Sequence, residues 1–144
     1  MLKSIAHTAI SVADMDRSLA FYRDVLGMKV VMDTESATRK LGVIVGLADA
    51  QARIVMLDAG NQRIELFQYR APVGRPMPET ARQCDHGLTH IAFTVTGMDD
   101  LCEKLRKSGA RFYSEPQIVG REMKVVYFKD PDGVTLEVME EIKA

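Results

Sequence analysis

Alternation with a period of two runs through Ile5-Ala6-His7-Thr8-Ala9-Ile10-Ser11-Val12 and predicts a strand with Ile5, His7, Ala9 and Ser11 on one face. The period then changes. Leu19, Tyr22 or Arg23, and Leu26 recur at helical spacing over 17–26, with Asp14 or Asp16 as the N-cap and Gly27 in the C′ position. Strands are expected over 28–34, 53–57 and 63–69, the last two joined by the turn Asp58-Ala59-Gly60-Asn61. The segment 37–50 reads two ways: Val43-Ile44-Val45 suits a strand, whereas Gly42, Gly46 and Asp49 suit a short helical turn and a loop. Pro72, Pro76 and Pro78 then mark 71–86 as a long irregular linker.

After the linker the pattern restarts. Leu88-Thr89-His90-Ile91-Ala92-Phe93-Thr94-Val95 repeats the first strand, and Gly97-Met98-Asp99-Asp100 opens a helix that runs to about Ser108 and stops at Gly109. Extended chain over 110–113 and a looser stretch lead to strands over 123–129 and 134–140, separated by the turn Asp130-Pro131-Asp132-Gly133. From His7 to His90 is a step of 83 residues, and so is the step from Asp16 to Asp99, as an internal duplication would leave. From Glu65 to Glu137 the step is 72, so the second half lacks about eleven residues in its middle, and 37–50 is the extra piece of the first. The fold class expected is α+β, one domain over 1–144 with tandem βαβββ modules at 1–70 and 87–144, forming a curved mixed sheet around a metal cleft.

Composition narrows the function. With 47% hydrophobic and 27% charged residues the chain is ordinary globular protein. Nineteen basic against 20 acidic side chains, with no basic block, make nucleic acid an unsuitable partner. No apolar run reaches the roughly 18 residues of a membrane span, and the first residues lack a signal peptide's apolar stretch, so a cytoplasmic protein is expected. Cys84 and Cys102 lack metal-type spacing and are expected as free thiols.

Each half carries a histidine in its opening strand and a glutamate in its closing strand. If the halves meet about a pseudo-twofold axis, His7, Glu65, His90 and Glu137 share one cleft. Two imidazoles and two carboxylates suit a divalent Ni, Zn, Co, Mn or Fe ion and balance its charge. Such an ion polarises a carbonyl, and a carboxylate beside it shuttles the neighbouring proton, with Glu137 favoured over Glu65 as that base. Against this stands the plainer reading in which strand alternation turns both glutamates to solvent. It is weakened by the apolar flanks Ile64, Leu66 and Phe67, and Leu136 and Val138. His86 reads as linker surface or a gate, with metal ligation in place of another residue as the alternative, and Arg82 and Asp85 read as polar linker or as substrate contacts. Met56, Phe67, Phe93, Tyr127 and Met139 read as core or as the lining of an apolar cleft. Arg53, Arg75, Arg121 and Lys124 read as solvated surface, or as a grip on an acidic tail.

The chain resembles the vicinal oxygen chelate superfamily, the glyoxalase, bleomycin-resistance and dioxygenase group. The resemblance rests on 7–18, on Phe21-Tyr22 through Leu26-Gly27, on 87–93, and on Asp130-Pro131-Asp132-Gly133-Val134-Thr135-Leu136-Glu137. It implies metal ligands at His7, Glu65, His90 and Glu137, a set similar to that of bacterial glyoxalase I. Methylmalonyl-CoA epimerases are also similar, commonly with Gln in place of Glu65. They carry a second acidic base on the strand matching 53–57, where this chain has none. The function implied is a metal-dependent isomerase, epimerase or lyase acting next to a carbonyl of a small oxo, thiol-adduct or acyl-thioester substrate, in a homodimer. The alternatives are a non-catalytic binder of an apolar small molecule or antibiotic, and a ring-cleaving dioxygenase.

Overall fold

The computed structural model describes residues 1–142, and the chain divides into two compact units, Met1–Pro76 and Met77–Ala144. The first holds β1 (Thr8–Ser11), α1 (Met15–Leu19), β2 (Lys29–Ser36), α2 (Arg39–Val45), β3 (Gln51–Asp58) and β4 (Arg63–Ala71). Its sheet order is β1-β4-β3-β2, with β1 parallel to β4 and the other pairs antiparallel. The second holds β5 (Ile91–Thr94), α3 (Met98–Lys107), β6 (Arg111–Phe112), β7 (Gln117–Val119), β8 (Met123–Lys129) and β9 (Thr135–Glu141). Its order is β5-β9-β8-β6, β7 also pairing with β8, and again the first strand runs parallel to the last. Both units are βαβββ-like. Each has its own open mixed sheet, so the expected tandem βαβββ modules and mixed strand pairing are present, in two sheets and not in one curved sheet.

The first helix begins at Met15, capped by Asp14, whose carboxylate accepts from the Arg17 N–H at 2.9 Å. It passes into a π-helical turn over Ala20–Val25, and Gly27 at φ +79° reverses the chain. Met15, Leu19, Phe21 and Tyr22 are buried with Ile10, Val12, Val55, Leu57, Ile64 and Leu66. In the second unit Met98, Cys102 and Leu105 of α3 are buried with Val126, Phe128, Leu136 and Val138. Each large side chain so enclosed stabilises its unit by about 1.5–3 kcal/mol in transfer free energy. The opposite sheet faces carry the polar residues discussed below.

The ambiguous segment 37–50 is a helix in its middle. Thr38 caps α2 by accepting from the Leu41 N–H at 3.2 Å, and Gly46 ends it at φ +68°. A side chain at Gly42 would meet the Leu47 carbonyl at 2.7 Å, so glycine is required where the chain folds back. Leu41 packs with Ala50, Ala52 and Ile54, and Val45, Phe67 and Tyr69 border that cluster. In the second unit the chain between β6 and β8 holds β7 and no helix, which accounts for the missing residues.

The duplication also reaches the contacts that hold each helix to its sheet. The Met15 N–H donates to Gln68 Oε1 at 3.3 Å, and the Gln68 amide donates to the Ala13 carbonyl at 3.2 Å. At the corresponding places the Gly97 and Met98 N–H groups donate to the Glu140 carboxylate, the latter at 3.2 Å. Asp16 receives Arg53 at 2.8 Å, and Asp99 receives Lys124 at 2.5 Å. Met15 to Met98 and Asp16 to Asp99 are steps of 83; Gln68 to Glu140 is 72 and Arg53 to Lys124 is 71. Cys84 is exposed and Cys102 buried, both free, and burial pushes the Cys102 thiol pKa up. Among the described residues no helix is long and apolar enough to cross a membrane.

Candidate functional site

Register places one histidine beside one glutamate in each unit. His7 stands one residue before β1 and His90 one residue before β5. Ala9 is the partner of Glu65 across the parallel β1–β4 pair, and Ala92 is the partner of Glu137 across β5–β9. Each histidine is therefore two residues ahead of its glutamate's partner, on the same side of the pleat. The outcome is the same twice: His7 Nε2 lies 3.2 Å from Glu65 Oε2, and His90 Nε2 lies 3.2 Å from Glu137 Oε2. The glutamate side chains are largely enclosed, at 14% and 10% exposure, while the imidazoles reach outward at 41% and 29%.

That spacing fits a common metal ion. Two donors each about 2.1 Å from one ion, at bond angles of 90–109°, lie about 3.0–3.4 Å apart. Each pair thus has the separation of two neighbouring ligands, and nitrogen with carboxylate oxygen suits first-row divalent ions. Among the described residues no three His, Cys, Asp or Glu side chains gather into one cluster. The element of construction is the pair.

The second pair is the more elaborately held. Thr89 Oγ1 lies 3.0 Å from His90 Nδ1, which fixes the ring and leaves Nε2 toward Glu137. The Tyr127 ring meets the His90 ring edge-on at 4.9 Å and 76°. Tyr127 is also the cross-strand partner of Glu137. Burial pushes the Tyr127 hydroxyl pKa up, and the charge of Glu137 and a hydrogen bond to it act in the same direction, so the hydroxyl is a neutral donor. In the first unit Met56 takes the place opposite Glu65, and Tyr69 has its pKa raised by burial and then by the Glu65 charge.

Several further residues border the second pair without having been singled out in the sequence. Thr135 is buried two positions before Glu137 and receives the Gln83 amide at 3.1 Å; its hydroxyl also meets the Tyr113 hydroxyl at 3.2 Å. The two-residue offset from Glu137 was the available signal for Thr135; nothing local marks Gln83. Among the residues considered for the cleft, Met56 and Phe67 share the Glu65 face, and Tyr127 and Met139 share the Glu137 face. Phe93 does not, because it pairs with Val138 on the helix-covered side. Arg53 is engaged by Asp33 and Asp16 and Lys124 by Asp99, so neither is a free grip on an acidic tail, and the linker residues Arg82 and Asp85 pair with each other at 3.0 Å. His86, Arg75 and Arg121 are exposed.

Comparison with known proteins agrees with this architecture. Residues 4–138 match the model of the Glyoxalase/Bleomycin resistance protein/Dioxygenase superfamily. The chain is 33% identical over 149 residues to the uncharacterized protein YwkD of Bacillus subtilis, covering 98% of this chain and 99% of that one. It is 34% identical over 148 residues to a 2-epi-5-epi-valiolone epimerase of an Actinomyces species, covering 94% and 78%. It is 28% identical over 138 residues to the lactoylglutathione lyase of Salmonella typhimurium, covering 94% and 91%. A glyoxalase family protein from Bacillus cereus shares the fold with a TM-score of 0.91 at 23% identity, over 99% of this chain and 97% of that one. By its sequence match and its duplicated βαβββ units, the chain belongs to the glyoxalase/bleomycin resistance protein/dioxygenase superfamily.

Proposed function

We propose that the protein is a divalent-metal-dependent isomerase, epimerase or lyase that moves a proton next to a carbonyl of a small oxo, thiol-adduct or acyl-thioester substrate. One observation carries the reading: the same 3.2 Å His–Glu pair is built twice at repeat-equivalent positions. His7, Glu65, His90 and Glu137 would hold the ion, drawn from Ni, Zn, Co, Mn and Fe. Bound there, it supplies a Lewis acid that makes the hydrogen beside a carbonyl acidic. The relatives named as an epimerase and as lactoylglutathione lyases support this class of chemistry.

The chain's own groups then move the proton. Glu137 is the base, enclosed enough to act away from bulk water and hydrogen-bonded by Tyr127. It takes the proton from the carbon beside the carbonyl and returns it to the neighbouring atom or to the other face. Glu65 is the corresponding base of the first pair. The 53–57 segment offers it no second carboxylate, and Met56 stands opposite. The site works in a cytoplasmic homodimer.

Elemental analysis of protein purified without chelator is expected to find one divalent ion per pair of His–Glu pairs. Activity should return to stripped protein on adding Ni, Co, Zn or Mn, with the hemithioacetal of methylglyoxal and glutathione, small 2-oxo compounds and acyl-CoA thioesters as substrates. No retained metal, and no turnover of any of these after metal addition, overturns the reading. Mixing a His7→Ala/Glu65→Gln chain with a His90→Ala/Glu137→Gln chain reads the dimer: recovered activity assigns the two pairs of one site to different chains.

A further inference from the structure

The repeat is broken in its charge pairing at a place on the face that carries Glu137. In the first unit Lys29 at the start of β2 is the cross-strand partner of Asp58 at the end of β3, an opposite-charge pair. The equivalent pair in the second unit is Arg111 with Lys129, two cations directly opposite one another. Like charges in that position weaken a sheet. Several cations of the second unit are paired, Arg106 with Glu115, Lys107 with Glu103 and Lys124 with Asp99. The side chains of Arg111 and Lys129 have no ion pair or hydrogen-bond partner among the described residues.

Their place in the sheet is fixed by register. Lys129 pairs with Thr135, two residues before Glu137, so Thr135, Lys129 and Arg111 form a row on the Glu137 face one pleat away. Tyr113, two residues beyond Arg111, reaches the same face, as its hydroxyl contact with Thr135 shows. Standard strand dimensions put the Lys129 and Arg111 Cα atoms about 8 Å and about 12 Å from that of Glu137, within the span of a small extended molecule. Arg111, Lys129, Phe112 and Tyr113 line a cavity of ≈ 270 Å³ with Glu79. Glu79 is the acid of that lining and makes no ion pair with either cation.

The geometry points to an anion subsite made by Arg111 and Lys129, which takes the carboxylate or phosphate end of the substrate whose carbonyl is presented to Glu137. Only the identity of the anion as the substrate's far end rests on the proposed function; the subsite itself stands on charge and register. Arg111 offers a planar fork for two oxygens and Lys129 a point charge, with the Tyr113 hydroxyl on the same face. Departure from the Lys–Asp template is what such recognition requires, since an acid at position 129 would repel the ligand.

Calorimetric titration of the full chain with inorganic phosphate and, separately, with succinate tests this. At least one is expected to bind saturably; Arg111→Gln and Lys129→Gln should each weaken it tenfold or more, Glu79→Gln should strengthen it several-fold, and Lys107→Gln should leave it unchanged. Circular dichroism of each variant confirms that it is folded. Binding of phosphate alone assigns a phosphate-bearing substrate, and of succinate alone a carboxylate-bearing one. Where turnover is found, the same two variants should raise KM for the glutathione hemithioacetal and leave KM for the neutral 2-mercaptoethanol hemithioacetal unchanged. No saturable binding of either anion, or binding that ignores both Arg111→Gln and Lys129→Gln, overturns the subsite. Anion binding that follows these residues in a protein that takes no metal leaves the subsite standing and removes the proposed function.

Discussion

Replacing Glu137 by Gln distinguishes a metal ligand from a structural ion-pair partner, because the two roles assign its cost to different measurements. A fully buried structural pair loses about 3–5 kcal/mol when one member is removed. The His90 side chain is 29% exposed, and the Glu137–His90 pair therefore lies nearer the surface regime, where such contacts contribute under about 1 kcal/mol. Gln keeps the volume of Glu and an oxygen that accepts from Tyr127. The metal-free variant should thus unfold within about 1 kcal/mol of the parent. Metal affinity should fall far more. Deleting a group that merely orients a ligand costs about 10- to 100-fold, so deleting a ligand and its charge sets a floor of about 100-fold, or about 2.7 kcal/mol.

Urea denaturation of chelator-stripped protein gives the first quantity, and competition for Ni or Zn against a chromophoric chelator gives the second. Glu65→Gln should reproduce both results, since its pair has the same 3.2 Å spacing. Metal should also raise the stability of the parent and barely that of either variant, because only tight binding to the folded state stabilises it. A loss above 3 kcal/mol in the stripped protein, with metal affinity unchanged, would show that the pairs are structural and refute the reasoning.

Thr89→Val frees the His90 ring while leaving both ligands in place, and metal affinity should fall about tenfold with little change in urea midpoint. Glu140→Ala removes the carboxylate that receives the first two N–H groups of α3, one of them on buried Met98; a loss of about 2–3 kcal/mol is expected in urea denaturation, most of it recovered by Glu140→Gln. Arg53→Met removes the hydrogen bonds that hold the Asp33 carboxyl below the ordinary carboxylate pKa. A carboxyl depressed in the folded state adds stability above its unfolded pKa and loses it as pH falls through the folded one. The parent should therefore exceed this variant in stability at pH 7, by under about 1 kcal/mol because Asp33 is 42% exposed, and the acid-sensitive part of that excess should shrink as pH falls below the ordinary carboxylate range. Equal differences at pH 7 and pH 2.5 would count against it.

The duplication was legible because it is written in chemistry-bearing residues: His7 and His90, Asp16 and Asp99, Glu65 and Glu137 keep their offsets whatever the surrounding apolar residues do. The strand over Met123–Lys129 was also fully marked, since the β-branched and aromatic run Val125-Val126-Tyr127-Phe128 lies between lysines and ends at a strong turn. By contrast α2 was obscured by its own composition. Val43 and Ile44, which look like strand core, are each 74% exposed, and the helix is held instead by the Thr38 cap and by Leu41 against Ala50, Ala52 and Ile54. The three-residue edge strand β7 was missed for a similar reason. Ile118 and Val119 are exposed, and the strand exists through its pairing with β8 and not through burial.

What the sequence cannot display is register, and register decides the site. Phe93 and Ala92 are neighbours in the chain, yet pairing sends Phe93 to the helix side with Val138 and Ala92 to the Glu137 side. Arg53 and Lys124 look like free cations until the pairing of each with an aspartate at repeat-equivalent positions shows them to be structural. Arg111 and Lys129 look like ordinary surface charges 18 positions apart until β6 and β8 set them side by side where the first unit has Lys29 and Asp58. A duplicated fold therefore carries its own internal control. Contacts repeated in both units are those the duplication kept, whether for folding or for chemistry common to both halves, and a contact inverted in one unit alone is free to serve a ligand particular to this chain. By that criterion the His–Glu pairs belong to the shared architecture, and the Arg111–Lys129 pair is where this chain's own specificity should be sought first.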